Sequence, residues 1–313
     1  MISNYDQGFA QGLTVRGIPV VQAHPGKVFW VGNSSTTASL RGEKGESDGN
    51  DGTFLAPFST IDYALSQCVA DRGDIVFVRP GYTETVGSTD LTLDVAGVAV
   101  IGLGSGSNRP TLNLTATGST IAITAANVLM HNFLITGGVD AIVAVMTVSA
   151  ADVTLSKLEF RDVTGQATDG ILTTASANRL MIDGLVWVGA TADGPAAAIA
   201  IVGGDRIEIQ NFYIAGDFSV SAIDVRTTLT TGLRVHDGFF WNNDAAVDTS
   251  VKDTIGSSTG QIGPNLFIQT EEHGANITEV ITGATFVVFD PVYVVNLANE
   301  KAMLINWTAS ADL

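Results

Sequence analysis

The sequence predicts an all-β protein, a right-handed, single-stranded parallel β-helix with a short helix capping its first coil. Three observations support this fold. An apolar pattern recurs about every 26 residues through the middle of the chain. Within each repeat the apolar residues alternate with period two, as they do in strands. An amphipathic helical pattern precedes the first repeat. A coil of three short strands accounts for the first two observations, and a capping helix accounts for the third.

The repeat consists of five segments with apolar residues at positions 1, 3, 6 and 8. Their starts are 25, 27, 27 and 26 residues apart. Positions 4 and 5 are mostly polar, which predicts a corner between two short strands. A third short strand lies upstream of each segment. The five segments are 128–135, 153–160, 180–187, 207–214 and 233–240, the last with Gly238 at position 6.

The leucine-rich repeat is the main alternative with a similar period. Its L-x-x-L-x-L core fits Ile209, Phe212 and Ile214, but it requires Asn or Cys three residues later. Four of the five segments lack that residue, which favours the β-helix. Position 8 then forms an inward apolar column, predicted to stack in the core: Ile135, Phe160, Trp187, Ile214 and Phe240.

The predicted capping helix covers about residues 58–70. Phe58, Ile61, Leu65 and Cys68 fall on one face of this helix. Ser59 is the expected N-cap, with Asp62 placed to reach back to it. We expect the helix to close the open end of the stack and Cys68 to act as a small buried hydrophobe.

Composition narrows the range of functions. The chain has 313 residues, 45% of them hydrophobic and 15% charged, with a net charge of −17. This composition argues against disorder, and the charge argues against nucleic-acid binding. One cysteine allows no disulfide, which fits assembly in a reducing cytoplasm. The N-terminus lacks a secretory pattern, and no apolar stretch is long enough to span a membrane.

The region before the repeat carries a family resemblance. Residues 52–65 read G-T-x-x-x-P-F-x-T-I-x-x-A-L, and residues 73–84 read GDIVFVRPGYTE. Together they resemble the first coil of pectate-lyase-like right-handed β-helix proteins. The resemblance covers about 35 residues and implies the fold far more than the function.

The front of the chain resembles the leader of a group of β-helix proteins in tailed bacteriophages. The similar residues are 12–20 and 25–31, and they include Arg16, Phe29 and Trp30. The resemblance implies a virion protein made in the host cytoplasm and placed on the capsid surface. Its expected partner is the major capsid protein, contacted through these three residues.

Two outward columns are unusually apolar. Position 7 contains Leu134, Glu159, Val186, Tyr213 and Phe239, and position 9 contains Thr136, Arg161, Val188, Ala215 and Trp241. An exposed apolar stripe usually marks a contact with another subunit, and we expect a homotrimer. Cover by the chain's own C-terminal tail is the alternative. The predicted interface residues are Leu134, Val186, Val188, Tyr213, Phe239 and Trp241.

Polysaccharide cleavage requires carboxylates that converge. A lyase of this architecture needs several carboxylates around Ca²⁺, and a hydrolase needs two or three at set separation. Asp183 and Asp237 fall at corners in different columns, and Asp224 alternates with two apolar residues and should face solvent. We therefore predict no catalytic residues, no metal site and no cofactor. If the chain is an enzyme, these three carboxylates are the candidates.

The apolar pattern divides the chain into three parts. Residues 1–50 form the leader and capsid-contact segment, and 51–247 form the β-helix with its capping helix. The repeat stops beyond Asn243, and residues 248–313 read as a loop followed by a C-terminal β region.

The sequence thus predicts a non-catalytic protein that decorates or cements a phage capsid. The alternative on the same fold is a tailspike-type polysaccharide depolymerase, either a lyase or a glycoside hydrolase. A self-assembling adhesin-like spike is a third interpretation.

Overall fold

The computed structural model describes residues 13–15, 18–20, 26–32, 43–88, 91–163, 165, 167–244, 246–247, 249–270, 280–283, 285–296 and 301–304. In this part of the chain the structure is built almost wholly from short parallel strands. One α-helix, α1, spans Ile61–Ser66 and one 3-10 turn spans Gly106–Asn108.

The strands follow one another in a regular order. The first ten are β1 (Leu13–Val15), β2 (Ile18–Val20), β3 (Val28–Val31), β4 (Ile75–Val78), β5 (Thr83–Val86), β6 (Leu91–Leu93), β7 (Ala99–Gly102), β8 (Thr111–Leu114), β9 (Ile121–Ile123) and β10 (Leu129–His131). The next ten are β11 (Leu134–Gly137), β12 (Ile142–Val148), β13 (Thr154–Ser156), β14 (Glu159–Arg161), β15 (Ala167–Thr173), β16 (Met181–Asp183), β17 (Val186–Val188), β18 (Ala197–Ile201), β19 (Gly204–Asp205) and β20 (Glu208–Gly216). The last ten are β21 (Ile223–Val225), β22 (Thr230–Thr231), β23 (Leu233–Asn242), β24 (Val251–Asp253), β25 (Gly260–Ile262), β26 (Leu266–Thr270), β27 (Ile281–Thr282), β28 (Phe286–Val288), β29 (Val292–Asn296) and β30 (Lys301–Leu304).

These strands stack coil upon coil into a parallel β-helix. An eight-stranded sheet runs β6, β9, β12, β15, β18, β21, β24, β27. The other two faces meet at a corner within an 18-stranded sheet, where β20 and β23 each pass through the corner as one strand. About eight coils contribute to all three faces, which confirms the predicted all-β parallel β-helix.

Left-handed backbone at fixed positions turns each corner. Position 5 of every repeat has a positive φ, between 52° and 71°. This conformation favours Asn, Asp and Gly, which explains the polar pair in the sequence pattern. The residue before position 1 also has a positive φ in every repeat, so each coil has two such corners. The position 5 residues are Asn132, Lys157, Gly184, Asn211 and Asp237, followed by Asn265 one coil later.

The interior is continuous and close to fully buried. All five residues of the position 8 column are at most 1% exposed, as the sequence predicts. Trp187 stacks on Phe160, with ring centroids 5.0 Å apart. Gly170 makes room for this indole, because a Cβ there would lie 2.4 Å from its ring.

The coils continue beyond Asn243, where the sequence pattern predicts that the repeat stops. Strands β25 and β26 stack in parallel on β23, and β28 and β29 stack on them in turn. The period of 27 and 26 residues is maintained, since Leu233 pairs with Gly260 and Gly260 with Phe286. The pattern is hidden because a glycine occupies position 1 and the corners gain one residue.

The capping helix is shorter than predicted. Thr60 caps it, not Ser59, and the Thr60 hydroxyl accepts a hydrogen bond from the Tyr63 N–H at 3.2 Å. Helix α1 packs on β3, β4 and β6, so it lies against the first coil as expected. Cys68 is half-buried against the core, and burial raises the pKa of its thiol to about 12.

Two carboxylates accept hydrogen bonds from backbone N–H groups at the start of helix α1. Asp48 accepts hydrogen bonds from the N–H groups of Ser59 and Thr60 at 3.0 and 3.3 Å. Glu84 accepts from the Ile61 N–H at 3.2 Å and from the Tyr82 hydroxyl at 2.7 Å. Burial raises the pKa of Glu84 to about 7, against the effect of these two hydrogen bonds.

Candidate functional site

The three candidate carboxylates of the sequence do not converge. Asp183 aligns across two strands with His236, a separation of about 10 Å at normal strand spacing, and Asp237 follows His236 at the next corner position. Asp224 lies in β21, on the separate eight-stranded sheet. The structure therefore does not bring them together into one site.

The two corner carboxylates have structural partners. Asp183 accepts a hydrogen bond from the Asn211 side chain at 2.7 Å, and Asp237 accepts one from Asn265 at 2.7 Å. Asp237 also bonds His236 at 2.6 Å, and this hydrogen bond holds the pKa of Asp237 below its usual range. Each carboxylate thus links the corner of its own coil to the corner asparagine of the next coil.

Asp224 is not the solvent-facing charge that the sequence predicts. The residue is 3% exposed, and its carboxylate lies 3.5 Å from the Arg226 guanidinium and accepts from the Thr254 hydroxyl at 3.1 Å. Arg226 also pairs with Asp169, two coils earlier. A triad of two buried carboxylates and one half-buried guanidinium therefore spans three strands.

The strand between the two carboxylates explains how Arg226 reaches Asp169. Ala197 is in register with Asp169, and Ala200 with Asp224. Both alanines are fully buried, so β18 places no bulky side chain at either position between the two carboxylates. Burial raises the pKa of Asp169, Arg226 opposes this and Asp224 adds to it. Sequence reasoning missed Asp169, because its partner lies 57 residues away.

Among the residues that the structure describes, no three His, Cys, Asp or Glu side chains are placed to hold a metal ion. No helix within the described ranges is long and apolar enough to cross a membrane.

The structure separates the predicted interface residues into three groups by their exposure. Val188 and Tyr213 are exposed, at 47% and 42%, and Val186, Phe239 and Trp241 are half-buried. Leu134 is buried, since the ion pair between Arg109 and Glu159 spans the strand that carries it.

The predicted contact residues of the leader also differ in their exposure. Phe29 is 8% exposed, belongs to the core and packs on Phe58, so it is not available to a partner. Trp30 is half-buried and contacts Phe54 and Phe77. Arg16 lies outside the described residues.

The most distinctive surface feature is an aromatic column on the outer face of the C-terminal coils. Its members are Tyr213, Phe239, Phe267 and Tyr293, in register on successive strands. Tyr213 stacks on Phe239 with centroids 5.0 Å apart and planes at 9°, and Phe267 on Tyr293 at 4.8 Å and 12°. The rings thus stack in two pairs along the solenoid axis, and within each pair the two rings cover one face of each other. The sequence pattern does not predict Phe267 and Tyr293 as members, because the repeat is interrupted in that region.

Comparisons with known proteins give little. No family model and no curated protein matches the chain. One solved structure, ORF18 of Geobacillus virus E2, is similar, with 12% sequence identity and a TM-score of 0.37 over 86% of this chain. The chain spans 61% of the length of that protein.

Proposed function

We propose that this chain is a structural virion protein of a tailed bacteriophage, which decorates or cements the capsid through subunit contacts and catalyses no reaction. The observation that carries the proposal is the aromatic column. Exposed apolar surface of this extent on a soluble chain is usually covered by a partner. A face whose rings are stacked on one another is suited to packing against protein, because it leaves few ring faces open.

The leader resemblance supports the phage assignment. It implies the major capsid protein as partner, a position on the capsid surface and synthesis in the host cytoplasm. A homotrimer is the oligomer we propose. The net charge of −17 fits a protein without nucleic-acid contacts, and no membrane contact is part of the proposal.

The separation of the candidate carboxylates supports a non-catalytic role. Glycoside hydrolysis needs two carboxyl groups on either side of one bond. Asp183 and Asp237 are each held by a corner asparagine, and Asp224 by Arg226.

A polysaccharide depolymerase remains the second candidate, and one observation favours it. Asp169 and Asp224 face the same guanidinium, and the pKa of Asp169 is raised, as expected of a general acid. This enzyme would release reducing ends or unsaturated sugars from host polysaccharide, with or without Ca²⁺. Activity lost in Asp169→Asn and kept in Asp183→Asn would establish this candidate and overturn our proposal.

Capsid binding tests the proposal directly. Capsids assembled without this protein are mixed with the purified chain and sedimented, and their resistance to heating is measured. We expect saturable co-sedimentation and a higher temperature of capsid disruption. Free protein at all concentrations, with unchanged capsid stability, would contradict the cementing role.

A further inference from the structure

The aromatic column belongs to an uncharged strip that runs along the solenoid axis. Beside it, position 9 of the same coils is also free of charge. Phe267 is 49% exposed, the highest value in the column. The strip therefore presents apolar side chains at every coil from β17 to β29, and its members are Val186, Tyr213, Phe239, Phe267 and Tyr293 with Val188, Ala215, Trp241 and Gln269.

The period of the strip suits a second copy of this chain. Its side chains repeat at the strand spacing of about 4.8 Å over about 19 Å. Another copy offers the same spacing over the same length, so rings and aliphatic groups can interdigitate at every coil. The net charge of the chain also favours a second copy as the partner. Copies that each carry −17 repel one another except where a face is neutral, whereas a basic partner would be drawn to carboxylates.

The length of the neutral column favours parallel copies. Antiparallel copies would cover only the aromatic strip, about 300 Å² per chain or about 600 Å² in total for a strip about 15 Å wide, which is below the roughly 1,000 Å² of total area that a specific interface buries. Parallel copies would extend the contact along the whole position 7 column, from Thr83 to Tyr293. That contact is about 38 Å long and buries about 600 Å² per chain, or about 1,200 Å² in total, which exceeds that limit.

A single charge interrupts this longer column. Glu159 lies midway, and both Arg109 and Arg161 of the same chain bind its carboxylate. Two guanidinium groups more than neutralise this carboxylate, so a second Glu159 would meet a cluster of net charge +1 and not an unpaired negative charge. The column can therefore pack against itself in register.

We propose that copies of this chain pack side by side and parallel, coil against coil, with their aromatic columns facing one another. The inference rests on the subunit contact of the proposed function, but not on attachment to a capsid.

Disulfide trapping tests both partner and direction. Cys68→Ala removes the native thiol, and Tyr213→Cys, Phe267→Cys and Val143→Cys are then made singly. Val143 is the control, since it is 70% exposed on the eight-stranded sheet. Mild copper phenanthroline oxidation should link Tyr213→Cys to itself and Phe267→Cys to itself, and leave Val143→Cys single. Native mass spectrometry of the unmodified chain should show an oligomer.

Three results would overturn the inference. A monomer without links means that the column has another occupant, such as the chain's own tail or a different protein. Links that form only when Tyr213→Cys and Phe267→Cys are co-expressed mean antiparallel copies. Equal linking of Val143→Cys means random collision. Capsid sedimentation of the same samples separates the two proposals: a monomer that binds capsids refutes only the parallel packing, and a parallel oligomer that fails to bind refutes only the capsid role.

Discussion

The N-terminal and C-terminal halves of the solenoid have the same interior but different outer faces. In the N-terminal coils, position 7 holds Thr83, Thr111 and Glu159, the last bound by two arginines. In the C-terminal coils the same column holds stacked aromatic rings, such as Tyr213 on Phe239. The two halves are equally well packed inside, so the fold does not dictate what faces outward. The inward columns determine the coil, and the outward columns are free to serve a partner.

The largest loss of stability should come from removing Arg226, which pairs with two buried carboxylates on the outer face. Arg226→Ala leaves Asp169 and Asp224 unpaired beneath the surface, and we expect a loss of about 3 kcal/mol in the free energy of unfolding. Burial raises the pKa of Asp169, so the carboxylate resists ionisation and the loss should be larger at pH 8 than at pH 4. Denaturant titration at both pH values measures it.

Arg179→Ala is the matched control for this variant. Arg179 also pairs with an aspartate, Asp152, at 2.6 Å, but both side chains are at least 40% exposed. Because solvent screens this pair, we expect little or no loss of stability. Equal losses in the two variants would show that burial of the triad adds nothing to stability.

The next effect tests the interior shared by both halves. Gly170→Ala places a methyl group 2.4 Å from the Trp187 ring and from the Ala198 carbonyl, and it should cost about 1–3 kcal/mol. Gly138→Ala meets no atom within 4 Å and should change stability by less than about 0.5 kcal/mol. Thermal unfolding of the two variants measures this difference. Unchanged stability in Gly170→Ala would mean that the indole is loosely packed.

A titrating group distinguishes the first coil from the others. The pKa of Glu84 is about 7, above its ordinary value, so its contribution to stability is complete below about pH 4.5 and is lost as the pH rises through 7. Glu84→Gln should remove about 2 kcal/mol of this pH dependence. The comparison is the unfolding free energy of both proteins at pH 5 and pH 8. Parallel pH profiles would contradict a raised pKa.

These effects also show what the sequence could and could not predict. The 26-residue period and the period-two alternation were sufficient for the β-helix, and polar residues at positions 4 and 5 located its corners. Asp224 was placed outward correctly but was expected in solvent, because its burial depends on Arg226 and on Asp169 in a distant coil.

The C-terminal coils were missed for a local reason. Gly260 removes the apolar residue at position 1, and the three-residue corners shift the later positions by one. The strands there pair in the same parallel register as the others, and only the sequence pattern is interrupted. Phe267 and Tyr293, half of the aromatic column, were lost from the prediction with them.

The smallest effect on stability should come from the aromatic column itself. Phe267→Ser removes a ring that is 49% exposed, so unfolding of the separated chain should change by less than about 1 kcal/mol. Oligomer dissociation on dilution should nevertheless occur at higher concentration than for the unmodified chain. A large loss of stability without any change in association would assign this ring to folding instead.

The most direct test of the outer-face account is the double variant Val186→Glu with Tyr213→Glu. Both side chains lie in the outward column and neither contributes to the inward positions, so thermal unfolding of the separated chain should change little. Each buried apolar side chain lost from a contact is worth about 1.5–3 kcal/mol, and a buried charge costs more. Sedimentation velocity, paired with capsid binding on the same sample, should therefore show a folded chain that neither associates nor attaches. An unchanged oligomer mass with unchanged capsid binding would contradict the account and place the contact on another face.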